Sequence, residues 1–366
     1  MTANRTAFAT VAGALILAGG ALAALAQAPA PSTKPPAPSA AAPWIQLAPF
    51  PEASEEVLGA TAGGKLYVFC GLGPGWKPRA LVYEFDPTTN AWTQKKPMAL
   101  PSHHVAFASL NDKIYAFGGF TLPESGPPAW APINNAWEYD PANDSWKALA
   151  PMPTKRGAAS AATVNGKIYV VGGANSLPGV SENGIHPARP HNVLATVEEY
   201  DPASNSWRDR RPLLVARNHH ALAASGDKIY AIGGRIGAAF ISGGSNNIDL
   251  VEMYDPDKDF WTARDKMPTR RSAIAAGVYH GKIIVPGGEF QDRAELVAFR
   301  AVEMFDPALN RWQILPSMRY PRHGLAVGVI SDRLYAVSGD AQSASSGIEH
   351  SAVPYNEALA LDMVVQ

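Results

Sequence analysis

Apolar and polar positions alternate in short runs along this chain, and one such run keeps returning. Gly64-Lys65-Leu66-Tyr67-Val68-Phe69-Cys70-Gly71 matches Asp112-Lys113-Ile114-Tyr115-Ala116-Phe117-Gly118-Gly119, and the same line reappears at 166–173, 227–234, 281–288 and 332–339. Each run is rich in β-formers, opened by a turn residue and closed by Gly, as expected of a strand bounded by turns. A second strand precedes each one, for example at 104–109 and 158–164. A third leads into an aromatic–Asp–Pro turn, and a fourth begins at a Trp. The pattern predicts four short antiparallel strands per unit and no helical stretch.

The turn is as regular as the strand. Phe85-Asp86-Pro87, Tyr139-Asp140-Pro141, Tyr200-Asp201-Pro202, Tyr254-Asp255-Pro256 and Phe305-Asp306-Pro307 are followed at fixed distance by Asn90, Asp144, Asn205, Asp259 and Asn310. Trp92, Trp146, Trp207, Trp261 and Trp312 come next, always six residues after the Asp. The copies lie 54, 61, 54 and 51 residues apart, a period that marks an array of one supersecondary unit. Pro pre-sets φ, the Asp side chain can bond backbone N–H groups ahead of it, and the later Asn or Asp tolerates a left-handed conformation. The Trp is expected to pack between adjacent units. An Asp repeated in five equivalent turns is architectural, not catalytic.

The strand line has six copies and the Asp–Pro…Trp line five. The sixth is split between the chain ends. Residues 357–362 supply a third strand without a following Trp, whereas Trp44-Ile45-Gln46-Leu47-Ala48-Pro49 matches Trp146-Lys147-Ala148-Leu149-Ala150-Pro151. The N-terminal segment is therefore expected to supply the fourth strand of the last sheet and close a ring.

The double Gly, the Tyr/Phe-Asp-Pro, the spaced Trp and a Met-Pro-x-x-Arg stretch together resemble kelch repeats over residues 44–366. The resemblance implies an all-β, six-bladed kelch β-propeller, ring-closed by the N-terminal strand. Its units are approximately 52–97, 98–150, 151–211, 212–265, 266–315 and 316–366 with 44–48. Cys70 and Ser338 depart from the pattern at the first Gly, and Met363 stands where the pattern has Pro.

Composition excludes more than it assigns. Net charge is −1 with 17% charged residues, so there is no basic field for nucleic acid or anionic lipid. One cysteine rules out an intramolecular disulfide framework. Residues 1–28 read as a signal peptide: Arg5, an apolar run from Ala7 to Leu25, and small-x-small sites at Ala24-Leu25-Ala26 or Ala26-Gln27-Ala28. A Pro/Ala-rich tether follows at 29–43. The expectation is an exported, periplasmic or extracellular monomer with no stable membrane insertion after cleavage.

Candidate chemistry lies on the face where the repeat breaks down. Loops 72–80, 120–133, 174–194, 235–248, 289–297 and 340–354 differ in every unit, and irregular loops on a rigid scaffold are where function concentrates. Eleven residues before the Lys/Arg of each strand line stand Ser54, Ser102, Arg156, Arg217, Arg271 and Arg322. The arginines could meet carboxylates or sulfates at one mouth, or bond loop carbonyls within their own blades. Two positions on, the column reads Glu56, His104, Ala158, His219, Ala273 and Gly324. No metal is expected here, because equivalent positions in blades two and four should stand well apart across the ring. Arg156, Arg217, Arg271, Arg322, Ser102, His104 and His219 are the candidate ligand-binding residues. Protein or acidic carbohydrate is the expected partner, without a cofactor.

The same resemblance leaves a second class open. Exported bacterial kelch propellers include N-acetylneuraminate epimerases (mutarotases), in which Glu182, His186, His191 or Glu289 would be candidate acids or bases. A copper radical oxidase resembling galactose oxidase would need a Cys cross-linked to Tyr, and Cys70 sits in a Gly slot of the repeat.

Overall fold

The computed structural model describes residues 44–365 apart from 127–128, 178–183, 186–189, 239–245, 293 and 344–350. The proposed signal peptide and tether, and the candidates Glu182 and His186, lie outside the described residues.

The strand line and the Asp–Pro turn build six antiparallel sheets. The first sheet runs 55–62, 65–73, 82–86, 91–94, with a short extra strand at 77–78. The next four repeat the same order, ending with 277–279, 282–286, 302–306, 311–315. In the sixth, strands 326–330, 333–337 and 356–360 are completed by 44–46 from the other end of the chain, with Trp44 opposite Leu359. No α-helix occurs among the described residues, and no helix there is long and apolar enough to cross a membrane.

Hydrophobic residues collect between neighbouring blades more than within them. Tyr67 and Phe69 of blade one, for instance, pack with Ile114, Ala116 and Tyr139 of blade two. The repeat residues stitch these seams. Each Trp indole N–H donates to a backbone carbonyl of the preceding connection: Trp92 to Ala48, Trp146 to Lys96, Trp207 to Ala150, Trp261 to Arg211 and Trp312 to Asp265. The Asn/Asp column, at φ of 45–52°, accepts a backbone N–H from the same connections, as Asn205 does from Ala150. The Asp of the Asp–Pro turn accepts the N–H two residues on, as Asp140 does from Ala142 at 3.0 Å. The recurring Asp, Asn/Asp and Trp of the turn are thus held by structural partners.

The double Gly has a steric cause. Gly118 has φ +61°, and a Cβ there would stand 2.4 Å from the Arg156 carbonyl oxygen of the next blade. Cys70 and Ser338 hold the same left-handed conformation at φ 64° and 52°, so these departures retain the turn at the cost of strain.

The turn aspartates predict an acid limb in stability. Side-chain bonds from Lys113 and Asn143 hold Asp140 down at about 2, and bonds from Lys167 and neighbouring groups lower Asp201. A carboxyl with a folded pKa below its unfolded value of 3.8 stabilises above that pH and loses the contribution as pH falls towards the folded value. Asp140→Asn is therefore expected to flatten the acid limb between about pH 4 and 2, read as melting temperature against pH. An unchanged limb would show that the turn does not couple to folding.

Candidate functional site

The arginine column does not face the mouth. Arg156, Arg217, Arg271 and Arg322 are 0% exposed. Each reaches sideways into its own blade and pairs with a third-strand glutamate: Arg156 with Glu198 at 3.0 Å, and Arg217, Arg271 and Arg322 with Glu252, Glu303 and Glu357 at 2.7 Å. Backbone carbonyls take further N–H groups, as Val285 does from Arg271 at 2.8 Å. Burial pulls Arg322 down to about 10, which leaves it charged at neutral pH. The reading of a cationic mouth is thereby corrected. These side chains start at the strand entrance, are long enough to cross the blade, and are consumed there.

Ser102 is equally buried and donates to the Leu100 carbonyl at 3.0 Å. In blade one, the slot beside Ser54 is filled from the loop: Arg79 donates to the Ser54 hydroxyl at 2.9 Å and pairs with Glu52.

The second column does converge. Glu56, His104, Ala158, His219, Ala273 and Gly324 all have φ of 51–56° and form one layer around the axis. Backbone bonds run from blade to blade within it: Ala158 N–H to His104 O and His219 N–H to Ala158 O at 3.0 Å, then Gly324 N–H to Ala273 O at 3.1 Å. The expectation that blades two and four stand apart here is wrong. The His104 and His219 ring centroids are 4.7 Å apart. The cavity at this neck, about 50 Å³, is the smallest of the three that follow one another along the first strands. The small residues Ala158, Ala273 and Gly324 leave room for the three long side chains to meet.

Glu56 Oε2 lies 3.2 Å from His104 Nε2. His104 Nδ1 is 2.5 Å from His103 Nδ1, and His219 Nδ1 is 2.6 Å from Asn218 Oδ1. Arg235 Nη2 stands 2.9 Å from His219 Nε2, while its Nη1 is held by Glu289 at 3.3 Å. Burial works to raise the Glu56 carboxyl, but the opposing charges of His104, His323 and Arg235 outweigh it and hold it at about 2. Burial, with Glu56 and Asp340 beside it, pushes Glu55 up to about 9. Burial and the adjacent Arg235 and His104 keep His219 well below the usual imidazole range.

A third column surrounds the neck on the loop side, and the sequence reading missed most of it. The residue after the double Gly is Leu72, Phe120, Ala174, Arg235, Glu289 or Asp340, each bridged across its blade to the residue before the neck. Blades one to three thus supply an apolar wall, where Leu72, Phe120 and Ala174 pack with Trp130 and Ile185. Blades four to six supply the charges. Reading one position past the double Gly in every copy would have exposed this division. Glu289, a candidate loop acid, accepts from Ser343 and Arg235 and is 1% exposed. His191 lies 3.5 Å from Asn218 Nδ2.

From the neck downwards, three cavities follow one another, of about 50 Å³ at the neck residues themselves, then about 90 and 290 Å³ further along the first strands towards the regular face. On the loop face, a cleft of about 530 Å³ opens between blades two and three. Its walls include Leu122, Pro123, Pro132 and Ile133 with Glu124, Lys155 and Asn175.

The comparisons agree with this architecture. The family model described as the KLHDC2/KLHL20/DRC7 Kelch-repeats domain matches residues 45–234, and the Kelch motif matches 216–268. Kelch repeat and BTB domain-containing protein 12 of Homo sapiens is 29% identical over 64% of this chain and 37% of that protein. Kelch-like protein terF of Aspergillus terreus is 27% identical over 74% of this chain and 57% of that protein. The chain thus spans roughly two fifths to three fifths of the length of these curated relatives. The solved structure of YjhT superposes with a TM-score of 0.68 at 17% identity, over 85% of this chain and 95% of its own, which shows a shared fold. By its repeats, its six closed blades and these matches, the chain belongs to the kelch-repeat family.

Proposed function

We propose that this protein is an exported binding propeller that holds a protein partner on its loop-bearing face. The observation that carries the reading is the cleft between the loops of blades two and three. At about 530 Å³ it has the size of a recognition pocket, lined by apolar side chains (Leu122, Pro123, Pro132, Ile133) interleaved with polar ones (Thr121, Glu124, Lys155, Asn175) that can fix orientation. Leu122, more than a third exposed, lines it, so apolar surface is held open to solvent there. The regular face, by contrast, is made of short turns whose polar groups are already bonded.

An acidic glycan is the weaker form of the reading. The arginines that motivated it are paired inside the blades, and the cleft carries one Lys beside one Glu. The full chain applied to peptide and glycan arrays is expected to give peptide hits that Leu122→Arg reduces at least tenfold, while Thr163→Ala on the axial channel leaves them intact. Hits confined to sialylated glycans would shift the reading to the sugar-directed class. Binding indifferent to Leu122→Arg would overturn the placement on this face.

A further inference from the structure

We infer that the axial neck is a divalent transition-metal site with Glu56, His104 and His219 as protein ligands, going beyond the binding role proposed above and not depending on it. The donor atoms of these three side chains all lie within 4.8 Å of one another. Two donors bound at about 2.1 Å to one tetrahedral ion stand about 3.4 Å apart. The Glu56–His104 pair, at 3.2 Å, is already at that spacing. The His219 donor, within 4.8 Å of the other two, must close by no more than about 1.4 Å.

The orientation of the imidazoles is independent support. His104 is buried, and its Nε2 makes no aligned hydrogen bond, although the Glu56 carboxylate is within reach. On the far side of each ring the Nδ1 atom has a fixed neighbour, Asn218 Oδ1 for His219 and His103 Nδ1 for His104. Asn218 Oδ1 can only accept, so His219 carries its proton on Nδ1 and offers Nε2 as a lone pair. An oxygen that holds the far imidazole N–H, fixing the ring's tautomer and orientation, is the usual arrangement behind a histidine ligand. Two imidazoles and one carboxylate suit Zn²⁺, Co²⁺ or Cu²⁺ better than Mg²⁺ or Ca²⁺. The axial cavities give a small ion a path from the regular face.

One group stands in the way. Arg235 Nη2 sits 2.9 Å from His219 Nε2, where it takes the lone pair a metal would use. The guanidinium is therefore an internal competitor, and Glu289 is placed to retain it when it is displaced. This gives the site a signature that an ordinary polar core lacks: removing a cation should tighten cation binding.

The test uses the full chain stripped with chelator and titrated with Co²⁺ or Cu²⁺. One equivalent is expected, with visible Co²⁺ bands of a four- or five-coordinate ion and nitrogen hyperfine structure in the Cu²⁺ resonance spectrum. Glu56→Gln and His219→Ala should each weaken Co²⁺ at least tenfold, and Arg235→Gln should tighten it severalfold, with folding checked by circular dichroism. No stoichiometric uptake by the wild-type chain overturns the site, as does uptake that Glu56→Gln leaves unchanged. If the histidine variant does not fold, the near-isosteric Glu56→Gln and the wild-type copper spectrum decide. A copper spectrum without nitrogen coupling rejects the ligand set.

Discussion

Replacing Arg217 by alanine is expected to cost about 3–5 kcal/mol of folding stability, the penalty of leaving a buried carboxylate without its partner. Arg217 is fully buried and donates to Glu252 Oε1 at 2.7 Å and to the Leu250 carbonyl at 3.1 Å. Without the guanidinium, Glu252 keeps its desolvation and loses its compensation, and burial already raises its carboxyl in the intact protein. The abandoned Glu252 would then take up a proton in the folded state. The loss should accordingly be greater at pH 8 than at pH 4.5, where folded and unfolded forms are closer in protonation.

The chain contains its own control for this prediction. Where blades one and two have Ser54 and Ser102 in place of Arg, the third strand has Tyr83 and Trp137 in place of Glu. The pair changes together, from ionic to hydroxyl and aromatic. The double variant Arg217→Ser/Glu252→Trp copies blade two and should recover much of what Arg217→Ala loses, because exchanging both members of a buried pair is far milder than removing one. Denaturant unfolding of the three proteins reads the difference. If Arg217→Ala instead melted like wild type and lost affinity for an anionic ligand, the arginine would be facing the mouth after all.

This covariation shows what was legible in the sequence and what was not. The strands, the turns, the seams and the closure by Trp44 could be read because each repeats, and six noisy copies of one pattern reinforce one another. The direction of the arginine side chains could be read too, but only by comparing two columns some 30–40 residues apart within each unit. Taken alone, the Arg column looks like a ring of charge. The neck was misjudged for a different reason. Equivalent positions in a ring are far apart at the rim and close at the axis, and a spacing along the chain does not say at which radius a residue sits. His104 and His219 meet because Ala158 between them is small, a fact of packing rather than of motif. The loop cleft was visible only as length and irregularity, since its shape depends on how residues 121–125, 131–133 and 175–176 fold against each other.

The ring closure carries the other large effect. Trp44→Ala is expected to cost about 3–5 kcal/mol, the range for truncating a large buried aromatic. Trp44 is 1% exposed, packs with Val302, Met318 and Leu359 in the last seam, and donates its indole N–H to the Pro316 carbonyl at 2.8 Å. Its own carbonyl accepts from Arg319 at 3.0 Å, so the side chain and the strand are held together. The five internal tryptophans make the same kind of bond, but each is anchored within a continuous chain. Trp44 instead joins the two ends, and losing it should free a strand of three residues rather than thin one seam. Hydrogen exchange would separate these outcomes. With Trp44 removed, the amides of 356–360 should exchange faster ahead of global unfolding, whereas Trp312→Ala should lower stability without singling out that strand. Uniform exchange in both variants would mean that the ring is held by its other seams and that the N-terminal strand is an ornament on a propeller already closed. The geometry argues otherwise, since residues 44–46 are the outer edge of blade six, and without them strand 356–360 would present an unpaired row of backbone groups to solvent.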